Sequence, residues 1–89
     1  MELGQVVFSI AGRDRGKYFA VIEVVDGSYV KIADGDSHRI KTSKLKKVKH
    51  LHTKGDVLEK LAEKLKNGIQ VFDTELSSAL RFYKENAKQ

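Results

Sequence analysis

Two stretches of the chain carry side chains that can bind an anion. The first, Gly12-Arg-Asp-Arg-Gly16-Lys17, places three cations among two glycines. The second, residues 37–55, contains no acid and seven cations: Arg39, Lys41, Lys44, Lys46, Lys47, Lys49 and Lys54. Ammonium and guanidinium groups bind phosphate oxygens, so both stretches predict contact with a phosphate-bearing partner.

The formal net charge of +5 has its origin in the second stretch. Residues 1–36 carry −2, residues 37–55 carry +7, and residues 56–89 are neutral. Like charges crowded on a small fold repel one another unless a polyanion neutralises them, which favours a polyanionic partner. A run of lysines is also typical of a solvated face, and the sequence leaves both interpretations open.

The glycine-rich stretch resembles a nucleotide-binding P-loop only in composition. Its glycines, Gly12 and Gly16, are one residue too close together, and Lys17 precedes Tyr18 where a P-loop has Ser or Thr. A strand-forming sequence follows where a P-loop requires a helix. Nucleotide hydrolysis is therefore not predicted.

Other catalytic or metal-binding patterns are incomplete. Asp34 and Asp36 flank a glycine, but no nucleophile or base accompanies them, and turn formation accounts for both. His50 and His52 alternate like metal ligands, yet a third ligand is missing and the chain has no cysteine. We expect a non-enzymatic protein without a metal or cofactor.

The length and composition of the chain limit what positions these residues. Eighty-nine residues correspond to one small domain, and 40% hydrophobic residues are enough for a small core. With no cysteine the fold must be held by packing alone, which favours a reducing compartment. No apolar stretch reaches the ~18 residues of a membrane span, and a secretion signal is not evident. We expect a cytoplasmic protein.

The N-terminal part has the pattern of short strands joined by tight turns. Residues 6–10, 18–25 and 28–32 are rich in β-branched and aromatic residues, and Asp26-Gly27 and Asp34-Gly35 predict hairpin turns. These elements account for three strands of an antiparallel meander.

Two further strands are expected in the basic stretch. We predict a fourth strand over Ser37 to Lys41 with Ile40 pointing inward, then a 3₁₀-like turn that leads into a fifth strand over Val48 to Leu51. Five such strands predict a small SH3-like antiparallel barrel over residues 1–54, because closure protects the sheet edges.

From Asp56 onward the pattern becomes helical. Asp56 and Glu59 form a predicted capping box, Asn67-Gly68 a predicted stop, and a second helix is expected from Asp73 or Thr74, with fraying over residues 86–89. The apolar stripes are Val57, Leu58, Leu61, Ala62 and Leu65, then Leu76, Ala79, Leu80 and Tyr83. We expect residues 55–89 to pack on the barrel as part of one domain.

The stretch from Gly4 to Val24 resembles the KOW motif, a strand-loop-strand unit of ribosomal proteins and transcription elongation factors. It reads Gly4-Gln-Val-Val-Phe-Ser-Ile-Ala-Gly12-Arg-Asp-Arg-Gly16-Lys17-Tyr-Phe-Ala-Val21-Ile22-Glu-Val24. The following Val24-Val25-Asp26-Gly27-Ser-Tyr29-Val30-Lys-Ile32, the basic stretch and Lys49-His50-Leu51 resemble the archaeal and eukaryotic large-subunit ribosomal protein fourteen family. The resemblance covers roughly residues 3–52. It implies RNA binding.

Resemblance and charge together predict a translation-associated protein that binds structured RNA, above all ribosomal RNA, with ribosomal proteins as possible further partners. The predicted RNA-binding residues are Gly12, Arg13, Arg15, Gly16, Lys17, Arg39, Lys41, Lys44, Lys46, Lys47 and Lys49. Tyr18, Phe19 and Tyr29 are candidates for stacking on unpaired bases, although aromatic residues of so small a barrel are more often core. The alternative is a protein-interaction adaptor that uses the barrel groove or the helices.

Overall fold

The computed structural model describes residues 1–87, which form five strands and two α-helices. The elements are β1 (Val6–Ser9), β2 (Tyr18–Val24), β3 (Tyr29–Ala33), β4 (Lys44–Lys47), β5 (Leu51–His52), α1 (Glu59–Lys66) and α2 (Asp73–Ala87). The strands pair antiparallel in the order β4-β3-β2-β1-β5. The predicted fraying falls partly on Lys88 and Gln89, outside the described residues. Neither helix is long and apolar enough to cross a membrane.

The predicted hairpin turn at Asp26-Gly27 forms, whereas Asp34-Gly35 forms a turn that does not lead directly into a strand; an aspartate side chain holds each turn. The Asp26 carboxylate accepts hydrogen bonds from the backbone N–H groups of Ser28 and Tyr29, at 2.8 and 2.9 Å. Asp34 accepts from the N–H groups of Asp36 and His38, at 2.9 and 2.8 Å. An aspartate that bonds its own following backbone stabilises a tight turn, as the sequence predicts.

The predicted fourth strand over Ser37 to Lys41 is wrong. The Asp34 turn extends through His38, and a 3₁₀ turn over Ile40–Thr42 follows it. The Ile40 N–H donates to the Asp73 carboxylate at 2.8 Å, so this segment bonds to the start of α2. The fourth strand is instead Lys44–Lys47, which pairs with β3.

The predicted fifth strand over Val48 to Leu51 is also displaced. The expected 3₁₀ turn occupies Val48–His50, and only Leu51–His52 pair with β1. The Val48 N–H donates to the Ser28 carbonyl at 2.8 Å, while the His50 carbonyl accepts from the Ile10 N–H at 3.0 Å. The turn therefore connects the β2–β3 hairpin to the end of β1.

Each face of the sheet carries a cluster of buried side chains. Successive residues of a strand contribute to opposite clusters, since their side chains point to opposite sides. One face contacts the helices through a cluster of Val6, Ala20, Ala33, Leu61, Val71, Leu76 and Leu80. The opposite face buries Val7, Phe19, Val21, Val30, Ile32 and Leu51, with Val48 packed against them. The helical stripes are confirmed as packing surfaces, since Leu61, Leu76 and Leu80 belong to the first cluster.

The predicted capping box of α1 does not form. Leu58 is the N-cap residue and no side chain caps the helix. Asp56 instead joins separate elements: its carbonyl accepts from the Val6 N–H at 2.8 Å, and its carboxylate accepts from the Tyr83 hydroxyl at 2.6 Å. The end of α1 at Asn67-Gly68 is confirmed, with Gly68 at a φ of 69°.

We expect Tyr83→Phe to lower the free energy of unfolding by about 1 kcal/mol, the net contribution of one hydrogen bond. The hydrogen bond to Asp56 raises the pKa of Tyr83 to about 12, and burial adds to the shift. This contribution is therefore full below the unfolded pKa of about 10 and is lost as pH rises toward 12.

Urea unfolding at neutral and alkaline pH measures this effect. Tyr29→Phe is the matched control, because the Tyr29 hydroxyl has no hydrogen bond within residues 1–87. Equal stability of the two variants at neutral pH would contradict the assignment.

Candidate nucleic-acid interface

The connection between β1 and β2, residues 10–17, is a compact loop that we call the basic loop. Gly12 and Gly16 have φ values of 80° and 88°, in the left-handed region that favours glycine. Within the loop, the Gly16 N–H donates to the Ser9 carbonyl at 2.9 Å and the Lys17 N–H to the Asp14 carbonyl at 3.1 Å. This backbone arrangement leaves the side chains of Arg13, Arg15 and Lys17 exposed.

Asp14, the one acid of the basic loop, points into the protein and is only 5% exposed. Its carboxylate accepts a hydrogen bond from the Lys44 ammonium at 2.7 Å, and His38 Nε2 lies 3.1 Å from its other oxygen. The hydrogen bond from Lys44 lowers the pKa of Asp14 to about 2 against the opposing effect of burial, and the bond with His38 adds to the lowering. Asp14 therefore attaches the basic loop to β4 as a carboxylate.

Lys46 makes a second attachment between the basic loop and β4. It is 7% exposed, and its ammonium donates to the Ala11 carbonyl at 2.9 Å. Lys46 pairs with the buried Val30, so its aliphatic stem lies on the core side of the strand. The neighbouring Leu45 is 53% exposed. In β4 a lysine is therefore buried and a leucine exposed, the reverse of what their side chains predict.

These contacts place the basic loop along residues 38–50, which we call the basic segment. Three contacts join the basic segment to the basic loop. Lys44 bonds Asp14 in the middle of the loop, and Lys46 bonds Ala11 near the start of the loop. The His50 carbonyl accepts from the N–H of Ile10, the first loop residue. The two cation-bearing segments, which are distant in sequence, are therefore in contact in the structure.

The predicted site residues divide into two groups. Lys44 is half-buried and bonds Asp14, and Lys46 is buried and bonds Ala11. Seven other cations are exposed and form no ion pair within residues 1–87: Arg13, Arg15, Lys17, Arg39, Lys41, Lys47 and Lys49. Gly16 is open to solvent, whereas a Cβ at Gly12 would lie 3.3 Å from the Lys46 ammonium nitrogen.

Two further cations, which belong to α2, lie beside the basic loop. Arg81 and Lys84 of α2 line a cleft of about 320 Å³ together with Lys17 of the basic loop. Asp34 and Asp36 line the same cleft, so its charge is mixed. Arg81 and Lys84 belong to a stretch with balanced charge and become neighbours of Lys17 only because α2 packs on the sheet.

The aromatic candidates for base stacking have different environments. Phe19 is 0% exposed and belongs to the core. Tyr18 is half-buried and packs edge-to-face on Phe8 and Tyr83, with ring centroids 5.0 and 6.0 Å apart. Tyr29 is half-buried and borders a cleft. Tyr29 is thus the one of the three whose ring is not packed in a cluster.

Residues 1–87 contain no group of three or more His, Asp or Glu side chains placed to hold a metal ion. No protein-family model matches the chain, and no curated protein matches it.

We expect Asp14→Asn to lower the free energy of unfolding by about 1–3 kcal/mol, because it removes a charge-assisted hydrogen bond and leaves Lys44 without its anion. In the wild type this contribution is full above the unfolded pKa of about 3.9 and is lost as pH falls toward 2. The variant should therefore show a smaller loss of stability over that interval.

Urea unfolding at neutral pH and between pH 4 and 2 tests this role of Asp14. Asp36→Asn is the matched control, since it removes the same charge from an exposed carboxylate without a hydrogen-bond partner in residues 1–87. Unfolding of both variants at the same urea concentration would show that Asp14 does not hold the basic loop.

Proposed function

We propose that the protein is a KOW-type RNA-binding protein that binds structured RNA through phosphate contacts along the basic loop and the basic segment. One observation carries the proposal: seven exposed cations without an ion-pair partner in residues 1–87 belong to two segments held together by Asp14 and Lys46. The resemblance to the ribosomal protein family supports ribosomal RNA as the target and a role in translation.

The binding mode follows from the shape of RNA. An A-form duplex has a deep, narrow major groove, so a compact protein reaches mainly phosphates and 2′-hydroxyls. A loop fixed by internal contacts presents its cations without further ordering, which reduces the entropic cost of association. Lys44 and Lys46 contribute by holding the loop in place, and the exposed cations contact the phosphates.

We also propose that the sheet is an SH3-like barrel. The face opposite the helices supports this, since Phe19, Val30 and Ile32 are 0% exposed there and no helix residue belongs to their cluster. The reach of Lys46 from β4 to Ala11 at the end of β1 is the contact expected across a closing barrel.

Crosslinking in cells, followed by sequencing of the attached RNA, tests the proposed function. We expect enrichment of ribosomal RNA over messenger RNA in the crosslinked fraction. Recovery of no RNA above that of an uncrosslinked sample would contradict RNA binding.

A second candidate function, a protein-interaction adaptor, is favoured by one surface. An apolar groove of about 570 Å³ lies between α1 and α2, and its Phe82 is 69% exposed. Contiguous exposed apolar surfaces are typical of protein contact sites. A pull-down that survives nuclease treatment and is lost in Phe82→Ser would favour this function over RNA binding.

A further inference from the structure

A cleft of about 470 Å³ lies between the β2–β3 hairpin and the 3₁₀ turn after β4. It is lined by Gly27, Ser28, Tyr29, Lys47, Val48 and Lys49. Tyr29 and Lys47 are direct cross-strand partners, which places their side chains on the same face of the sheet. The volume is within the range of small-ligand sites.

The backbone of Tyr29 is held in place by the hairpin turn. The Asp26 carboxylate accepts from the Tyr29 N–H at 2.9 Å, and the Tyr29 carbonyl accepts from the Val25 N–H at 3.1 Å. Within residues 1–87 the ring has no aromatic partner and the hydroxyl has no hydrogen bond. A half-buried ring on a fixed stretch of backbone therefore borders the cleft.

The charge around the cleft selects the kind of ligand. Lys47 and Lys49 are both exposed, and none of the residues that line the cleft is an acid. The cleft between Tyr29 and these two lysines thus combines an aromatic face with two cations. An unpaired nucleotide presents the complementary groups, a flat base and flanking phosphates.

We propose that this cleft binds an unpaired RNA nucleotide, with its base stacked on Tyr29 and its flanking phosphates on Lys47 and Lys49. The inference rests on the proposed function and deepens it. The basic loop contacts duplex phosphates, and the cleft selects RNAs in which an unpaired base adjoins the duplex. Tyr29 is then the residue through which this protein distinguishes one structured RNA from another.

The test compares a blunt RNA duplex with the same duplex carrying a single-stranded overhang. Wild-type protein should bind the overhang RNA more tightly. Tyr29→Leu, which keeps apolar bulk but removes the ring, should weaken binding of the overhang RNA about tenfold and leave blunt-duplex binding unchanged, since stacking on an aromatic ring contributes ~1–3 kcal/mol per base. Tyr29→Phe retains the ring and should bind both RNAs like the wild type.

Tyrosine fluorescence provides a second readout that does not depend on the folding of Tyr29→Leu. The chain has three tyrosines and no tryptophan, so its emission comes from tyrosine. A short single-stranded oligonucleotide should quench the emission of the wild type, and Tyr29→Phe should lose most of that quenching.

The outcomes separate this inference from the proposed function. Duplex binding that persists while Tyr29→Leu has no effect on the overhang RNA would overturn the cleft assignment and leave RNA binding intact. An equal loss for both RNAs, or quenching that is unchanged in Tyr29→Phe, would also overturn it. Binding of neither RNA by the wild type would contradict the proposed function itself.

Discussion

The double variant Arg13→Glu/Arg15→Glu is expected to bind structured RNA about a hundredfold more weakly than the wild type at physiological salt. Both side chains are exposed on the basic loop. Each charge-assisted hydrogen bond contributes ~1.5 kcal/mol or more, and 1.4 kcal/mol corresponds to a tenfold change in affinity. Two lost contacts therefore give about two orders of magnitude, measured by titration of a fluorescently labelled RNA.

The matched control is Lys60→Glu/Lys66→Glu on α1. Each charge reversal replaces a positive with a negative charge and lowers the net charge by two, so both double variants change the formal net charge from +5 to +1. Lys66 lines a different surface, beside Glu59 and Glu63. Because screening weakens distant charges, we expect a loss below about threefold. Equal losses in the two variants would mean that binding responds to total charge and not to the basic loop.

Gly35→Ala is expected to lower the free energy of unfolding by about 3 kcal/mol. Gly35 has a φ of 78°, and a Cβ there would collide with the backbone carbonyl of Asp73 at the start of α2. Left-handed backbone at a residue with a Cβ costs about 1–2 kcal/mol, and overpacking costs about 1–3 kcal/mol more. The collision also breaks the hydrogen bond that the Asp73 carboxylate accepts from the Ile40 N–H at 2.8 Å.

Gly16→Ala separates the cost of left-handed backbone from the cost of the collision. Gly16 has a φ of 88°, but a Cβ there would meet no atom within 4 Å. In this control the free energy of unfolding should fall only by the backbone cost, about 1 kcal/mol. Urea unfolding of both variants, with far-UV circular dichroism to confirm the fold, measures the difference. Similar losses would show that α2 does not pack closely on the Asp34–Ser37 turn.

The first three strands were predictable because local signals agree. Their β-branched residues alternate between two buried faces, and Asp26-Gly27 specifies the turn between β2 and β3. The fourth strand was placed incorrectly because an apolar Ile40 suggests a strand residue that faces the core. Ile40 does pack against the core, but from a 3₁₀ turn. In the structure Lys46 takes the core-facing strand position, and Leu45 is exposed. A hydrophobic pattern does not detect a lysine whose stem packs and whose ammonium bonds a carbonyl.

The candidate site was predictable in composition but not in geometry. The run of cations and the loop glycines are visible in the sequence. The partners of Asp14 and Lys46 are contacts between residues far apart in the chain, which sequence spacing does not reveal. For the same reason Arg81 and Lys84 were not expected beside Lys17.

The salt dependence of affinity for a structured RNA tests RNA binding through the basic loop and basic segment most directly. For six phosphate contacts, the logarithm of the wild-type association constant should fall with the logarithm of salt concentration at a slope of about −4 to −5. Arg13→Glu/Arg15→Glu should reduce the steepness of that slope by about 1.5–2, one unit or slightly less per lost contact. A wild-type affinity that does not change with salt, or an identical slope in the variant, would contradict the account.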